Sequence, residues 1–501
     1  MKKSSFIYIV FLVLSVAGGS CKKFLDLKPE SELTTGNAYS TAADLENALV
    51  GAYRAFYFEY YIWENVLLGD VRSDNAYSGG GGDLYVAPYD MLTIPVGNIR
   101  LYADWSQLYT GIARCNIIID KMEAVDDPAL DVDNRRGGIG GEAHFLRAFH
   151  YFQLVKSFGG VPLELHSNNT DPAVSNLQRS SEKEVYDQIV ADLEIAVTSL
   201  PDDYGSDASV NKVRATKGAA YALLAKVWAQ RSDRDYSKVL QYCQEVVNSA
   251  ADYALVDDYA SLFDGDHYYS AESILEVPFI GGNADVANWG PQLYLAPEDG
   301  WQKYCVPSKD LVAAYDASND NIRKNANIVF YYNLDWPDLN WNPCQDPATG
   351  VPFNYKQKHA DNWASGDHHY LLRFADILLL QAEAQNELGQ TAAALSTLNK
   401  VRARVSLAPA GTGTQQELRE KILLERRLEL AFEGQRFDDL VRLNKIESVM
   451  NSLEEYNFSC TGSNPSDPER INYNMSADKR LLPIPQLERD ANPNLSQNPG
   501  Y

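Results

Sequence analysis

The sequence predicts an all-α protein in which helical hairpins of tetratricopeptide-like length form a scaffold for long, irregular, aromatic-rich loops. Two observations carry that expectation. Between Tyr370 and Leu443, apolar residues recur at helical spacing (Leu371, Phe374, Ala375, Leu378, Ala382), which marks a helix with a buried face. Between residues 276 and 365 that periodicity gives way to glycine, proline, asparagine and aromatic residues. So long an irregular stretch inside a compact chain is functional or disordered, and its aromatic content argues for order.

The elements follow in order. A first helix is expected near Ala43 to Tyr57, after an extended leader containing Phe24, Leu25 and Pro29. The helical pattern stops between Gly69 and Pro95, where Gly79 to Gly82 reads as an open loop edged by Asp74, Asn75, Tyr77, Tyr85 and Tyr89. No Gly-Lys-Ser/Thr follows, so it is not a phosphate loop. Helices resume at Trp105 to Met122 and at Gly141 to Phe158, the latter closed by Gly159-Gly160-Val161-Pro162. Glu182 to Leu200, Ala215 to Ala229 and Tyr236 to Val247 complete this half, the last two as a hairpin with Trp228 in its core. The second hairpin turns at Gly389, with Thr391 capping a helix whose inner face is Ala394, Leu395, Leu398 and Val401. Thr414 with Glu417 three residues on is a capping box for a third helix, ending at Gly434. The proline- and asparagine-rich tail reads as a strap without regular helix, anchored by Leu481, Leu482, Ile484 and Leu487.

Charge and motifs narrow the function. A net charge of −24 repels nucleic acids and polyanionic sugars at long range, so no nucleic-acid partner is expected. Lys2 and Lys3, the apolar run Phe6 to Val16 and the small residues before Cys21 form an export signal with a lipobox-like end, making Cys21 the lipid-bearing residue. No run of eighteen apolar residues suggests a membrane span. Cys115 and Cys243 lie in helical patterns and are expected as buried apolar side chains, whereas Cys305 and Cys344 flank the loop region and can pair if oxidised. His144 and His150 do not share a helix face as metal ligands, Arg147 is expected to pair with carboxylates, and Asp316 and Asp320 lack calcium-loop spacing. The acidic and basic residues Glu425, Arg426, Arg427, Glu429 and Arg436 suggest internal salt bridges rather than a carboxylate pair for catalysis. With no HExxH, G-x-S-x-G or P-loop, neither enzymatic activity nor a cofactor or metal is expected.

Four blocks carry a resemblance: RFADILLLQAEAQNELG, LNKVRAR, ERRLELAFEGQRFDDLVRL and the terminal LLPIPQLERDANPNLSQNPGY. They resemble, in order and over roughly the last quarter of the chain, the SusD/RagB family of surface lipoproteins. The FLD and Pro29 after Cys21, the helix ending in glycine and Val161-Pro162, and PSKDLVAAYDASNDNIR are similar to family blocks too. The resemblance implies a nutrient-binding, cell-surface lipoprotein of the outer membrane that works with a SusC-like TonB-dependent transporter. It also implies a division into a signal peptide (1–20) and one domain (21–501). Within the domain we expect a tether (21–42), a helical part (43–275), a loop-rich ligand region (276–365), a repeat part (366–445) and a strap (446–501). Aromatic rings stack on the apolar faces of sugars while carboxylates and amides bind hydroxyls. Ligand contacts are therefore expected from Asp74, Asn75, Tyr77, Tyr85, Tyr89, Trp289, Tyr294, Trp301, Trp336 and Trp341. An oligosaccharide, tilted by the acidic balance towards a neutral one, is the expected ligand. A peptide, as in RagB-like members, suits the same loops, and a glycoside hydrolase or a plain repeat scaffold are the remaining alternatives.

Overall fold

Helices with a buried face must pack on one another, and packing between successive long helices builds the scaffold. The computed structural model describes residues 39–79, 83–167, 176–297 and 302–501. Among the described residues, six helices of twelve or more residues come first: α1 (Ala42–Tyr53), α2 (Ile99–Lys121), α3 (Arg135–Phe158), α4 (Glu182–Ser199), α5 (Lys217–Gln230) and α6 (Tyr236–Val247). Each packs on its successor. After residues 248–308 come α7 (Lys309–Ala317) and α8 (Asn321–Asn327), and later α9 (Phe374–Glu387), α10 (Thr391–Arg404) and α11 (Gln415–Leu430). The short helices α12 (Arg436–Arg442) and α13 (Ile446–Ser452) follow. Because α6 packs directly on α9, the array continues across the long stretch between them. Among the described residues no helix is long and apolar enough to cross a membrane.

Capping chemistry fixes the helix starts: Thr41, Ser181 and Thr414 each close a capping box with the acidic residue three positions on. Helix α9 is buried on every side from Phe374 to Asn386, which places it at the centre of the array. Its polar residues are answered there: Arg426 reaches Asp376 at 2.8 Å, Arg442 reaches Glu383 at 2.7 Å, and Thr397 donates to Gln385 at 2.9 Å. Cys115 and Cys243 are fully buried, as expected for helix-face thiols.

Among the described residues, eight short strands pair into four antiparallel ribbons. They are β1 (Ala76–Tyr77) with β3 (Val306–Pro307), β2 (Ser273–Val277) with β6 (His369–Arg373), β4 (Ile328–Tyr331) with β5 (Val351–Asn354), and β7 (Tyr456–Thr461) with β8 (Asn464–Arg470). The β2–β6 ribbon clasps both ends of the irregular region, so residues 278–368 form an insertion held at its base. Residues Tyr370 to Arg373 are thus strand rather than the start of a helix.

Several other expectations are corrected. Helix α11 stops at Leu430, and Gly434 follows in the left-handed region at φ 71°. Thr391 is the first helical residue of α10, with Gln390 at the cap. Trp228 packs on the edge of the main core and is half-buried, with Arg231 and Lys238 over its ring at 4.5 and 3.8 Å. In the tail, Leu482 and Ile484 are buried but Leu487 is 59% exposed, on a short helix (Gln486–Ala491) that the prolines do not prevent. Cys344 bonds Cys460, not Cys305, which is a buried free thiol. The β7–β8 hairpin carries Cys460 to the insertion, with Phe458 N donating to Leu339 O at 2.9 Å.

Candidate ligand-binding site

Gly69, expected to open a loop, lies instead within a helical turn (Leu67–Val71), and the loop that follows is held by close backbone contact. A methyl group on Gly69 would stand 2.3 Å from the carbonyl carbon of Gly434, so neither partner has room for a side chain. Around this contact Asp70 accepts from Asn75 Nδ2 (2.8 Å), Phe432 N (2.9 Å) and Gly434 N (2.8 Å), while burial pushes its carboxyl up to about 6. Asp74 is gripped at 2.8 Å by both Arg436 Nε and Nη2, and Arg427 stands 3.1 Å away. Burial opposes its charge, but the two guanidinium groups hold the carboxyl well below the usual carboxylate range. Arg427 Nε also donates to Asn75 Oδ1 at 2.9 Å. Asp74 and Asn75 are therefore buried clamps between this loop and α11–α12, not an open edge. Arg147 similarly meets Asp192 (2.7 Å), and the expected internal ion pairs of Glu425, Arg426, Glu429 and Arg436 are present.

The loop then joins the insertion. Ribbon β1–β3 and a hydrogen bond from Gly79 N to Lys303 O (2.8 Å) bring the two predicted ligand segments together. A small apolar core of Tyr77, Ala296, Val306, Leu334, Val351 and Phe353 forms there, with Trp336 and Trp341 packed on its edge. Tyr77 donates to Asp338 at 2.6 Å and Trp341 Nε1 donates to Pro307 O at 3.0 Å. Tyr89 and Tyr294 are buried as well, Tyr294 donating to Trp63 O at 2.9 Å. These aromatics pin the loops to the scaffold. Trp336 keeps a half-exposed ring with the Lys303 ammonium 4.2 Å from its centre, and burial lowers the pKa of that lysine.

The accessible edge of the insertion centres on Trp289 and Trp363, whose rings lie 6.5 Å apart at 38°. Trp363 is 40% exposed, and it follows Asp361 and Asn362 through three successive left-handed residues at φ 45°, 56° and 70°. Asp and Asn tolerate that region; tryptophan does not adopt it without cost, and such strain gathers at binding sites. Its N–H donates to Gln292 Oε1 at 3.2 Å, and the Asn288–Ser365 bridge fixes the base of the pair. Gln302 N approaches Gln292 O at 3.4 Å, which runs the edge on to Lys303 and Trp336. On the facing loop, Tyr304 donates to Asp83 at 2.6 Å, and Asp83 in turn accepts from the backbone N–H of half-exposed Tyr85 at 2.8 Å. Of the residues singled out in the sequence, Tyr85, Trp289, Trp336 and Trp341 thus retain exposed ring surface. Trp301, Gly80 to Gly82 and Cys21 lie outside the described residues. Trp363, Gln292 and Lys303 were not singled out; the Asp-Asn pair before Trp363, a left-handed turn signature, was the available signal.

A continuous array of helical hairpins bearing a clasped, aromatic-edged insertion is a SusD-like architecture. A SusD-like protein of Bacteroides fragilis superposes with a TM-score of 0.74 at 25% identity, covering 93% of this chain and 98% of that one. A laminarin-binding SusD-like protein superposes with a TM-score of 0.74 at 25% identity, covering 92% and 100%. The SusD-like protein P2 of Formosa agariphila is 28% identical over 543 residues, spanning 100% of both chains. The profile described as "SusD family" matches residues 344–501, and that described as "Starch-binding associating with outer membrane" matches residues 23–228. The chain belongs to the SusD family.

Proposed function

We propose that this protein is a cell-surface lipoprotein that captures a neutral oligosaccharide on the Trp289–Trp363 edge and delivers it to a SusC-like TonB-dependent transporter. The observation that carries the proposal is the strained, exposed Trp363 beside Trp289, because a ring held off its preferred backbone is positioned for a ligand rather than for packing. Gln292, Lys303 and the Tyr85 ring supply hydrogen bonding and further apolar surface along the same edge. The family description of starch binding at the outer membrane and the laminarin-binding relative support a glycan as ligand. In this reading Cys21 carries the lipid anchor, and the outer faces of the helical array meet the transporter.

The test is calorimetric titration of the mature protein, with Cys21→Ser to keep it lipid-free, against β-1,3-, β-1,4- and α-1,4-linked glucose oligomers and mixed peptides. Saturable binding of one neutral glycan class is expected. Binding of peptides alone would overturn the glycan assignment. Co-purification of a β-barrel from outer membranes on the lipidated protein tests delivery, and its absence would leave capture without a transporter.

A further inference from the structure

A second concavity lies away from the aromatic edge, where the end of α1 meets α2. It encloses about 620 Å³ and is lined by Tyr39, Gly51, Arg54, Tyr57, Phe58 and Arg114, among others. That size suits a small ligand. What marks it is that two arginines, Arg54 and Arg114, line the same concavity. Many guanidinium groups elsewhere are neutralised, Arg323, Arg373, Arg404 and Arg426 each meeting at least two carboxylates, whereas Arg72 and Arg179 donate to backbone carbonyls instead. Arg54 and Arg114 meet none among the described residues. Arg114 is half-buried, its Nη1 donating to Gly51 O at 2.8 Å and its guanidinium lying 5.0 Å from the centre of the Phe58 ring. Burial and the repulsion of Arg54 both disfavour its charge, and neither cation has an ion-pair partner among the described residues. The one acid of α1 that approaches from the neighbouring face, Glu46, is bound to Arg135. Asp285 at the mouth is exposed and pairs with neither arginine.

We propose that this pocket binds a single anionic group, the carboxylate of a uronic acid residue, with the sugar ring against Tyr39, Tyr57 and Phe58. The choice of a sugar as carrier rests on the glycan-binding function proposed above. Two guanidinium groups facing one cavity suit a carboxylate, which accepts from both, and the charge-assisted bonds offset the desolvation of Arg114. The aromatic walls supply the face for the pyranose, and the Tyr57 hydroxyl is already engaged by Pro278 O, leaving its ring as wall. The net charge of −24 works against long polyanions at a distance. It does not work against one acid group that reaches a local cationic pocket within a Debye length. The protein would then hold a mixed glycan at two points, neutral residues on the Trp363 edge and an acidic branch here.

Gly51 offers a clean way to test this. No atom lies within 4 Å of where its Cβ would stand, so a larger side chain projects into open space on the pocket wall. The experiment titrates the full mature protein with a galacturonic acid trisaccharide and with the matched galactose trisaccharide, in wild type, Arg54→Gln, Gly51→Leu and Trp363→Ala. The expected result is preference for the acidic trisaccharide, weakened about tenfold or more by Arg54→Gln and by Gly51→Leu, and unchanged in Trp363→Ala. Circular dichroism confirms that each variant keeps its helix content. Equal affinity for both trisaccharides, or acidic affinity unchanged in either pocket variant, overturns the inference. Neutral binding lost only in Trp363→Ala supports the edge on its own, whereas Arg54-dependent acidic binding with no neutral binding supports the pocket and removes the edge.

Discussion

Glu429 sits where three guanidinium groups converge: Arg323 at 2.9 Å, Arg373 at 2.6 Å, and Arg404. Burial opposes its charge, but Arg404, Arg373 and Arg323 together hold its carboxyl well below the ordinary range. Removing that charge leaves buried cations undercompensated. Glu429→Gln should therefore lose about 3–5 kcal/mol of stability in urea unfolding, far beyond a typical surface change. Glu455 is the opposite case. Burial pushes it up to about 7, against an unfolded value of about 4.3. Folding takes up a proton between those values, so its favourable contribution is full below about pH 4 and is lost as pH rises through about 7. Glu455→Gln should gain on wild type as pH rises from 4 to 7, by on the order of 1–3 kcal/mol, and then level off. A pH-independent difference in melting temperature would contradict the assignment. At this scale the sequence reveals half of each interaction. Alternating charge on α11 announces ion pairs, but their partners Arg323, Arg373 and Arg404 come from α8, β6 and α10. No local spacing identifies such partners.

Long helices were legible because each repeats its apolar face over several turns, and capping residues such as Thr414 and Glu417 mark the starts. The ribbons were not, since β1 and β3 span two residues each and owe their pairing to the fold around them. The same limit hid the disulfide: Cys460 is 116 residues from Cys344, and only the β7–β8 hairpin brings them together. Reducing this bond, or replacing both residues by serine, should cost about 2–4 kcal/mol through the long loop it closes. An unchanged unfolding midpoint in reductant would show that the hairpin docks without it. Gly69 gives a second check on element packing. Gly69→Ala drives a methyl into the Gly434 backbone and should destabilise by about 1–3 kcal/mol or more, whereas Gly51→Ala, in open space on α1, should be neutral or slightly stabilising. Equal behaviour of the two would mean that the Gly69–Gly434 contact is not as close as described.

On the scale of the whole molecule, the helical array runs from α1 to α6 and on through α9 to α11, and it displays one clasped insertion against the loop that follows Gly69. The sequence indicated both segments as the ligand region, since they interrupt periodicity and concentrate aromatics. It could not sort ring from ring. Tyr77, Tyr89 and Tyr294 look like Tyr85 in one dimension, yet the fold buries them and leaves Tyr85 exposed. The exposed Trp363 and the half-buried Trp289 become adjacent through the Asn288–Ser365 bridge and a left-handed turn. The measurement that tests the account most directly is the affinity of Trp363→Ala for whichever neutral oligosaccharide the wild-type protein binds, with Trp341→Ala alongside as a ring engaged in packing. The account predicts a loss of about tenfold or more in Trp363→Ala, equivalent to roughly 1–2 kcal/mol, and a smaller loss in Trp341→Ala. Unchanged affinity in a folded Trp363→Ala protein would contradict it.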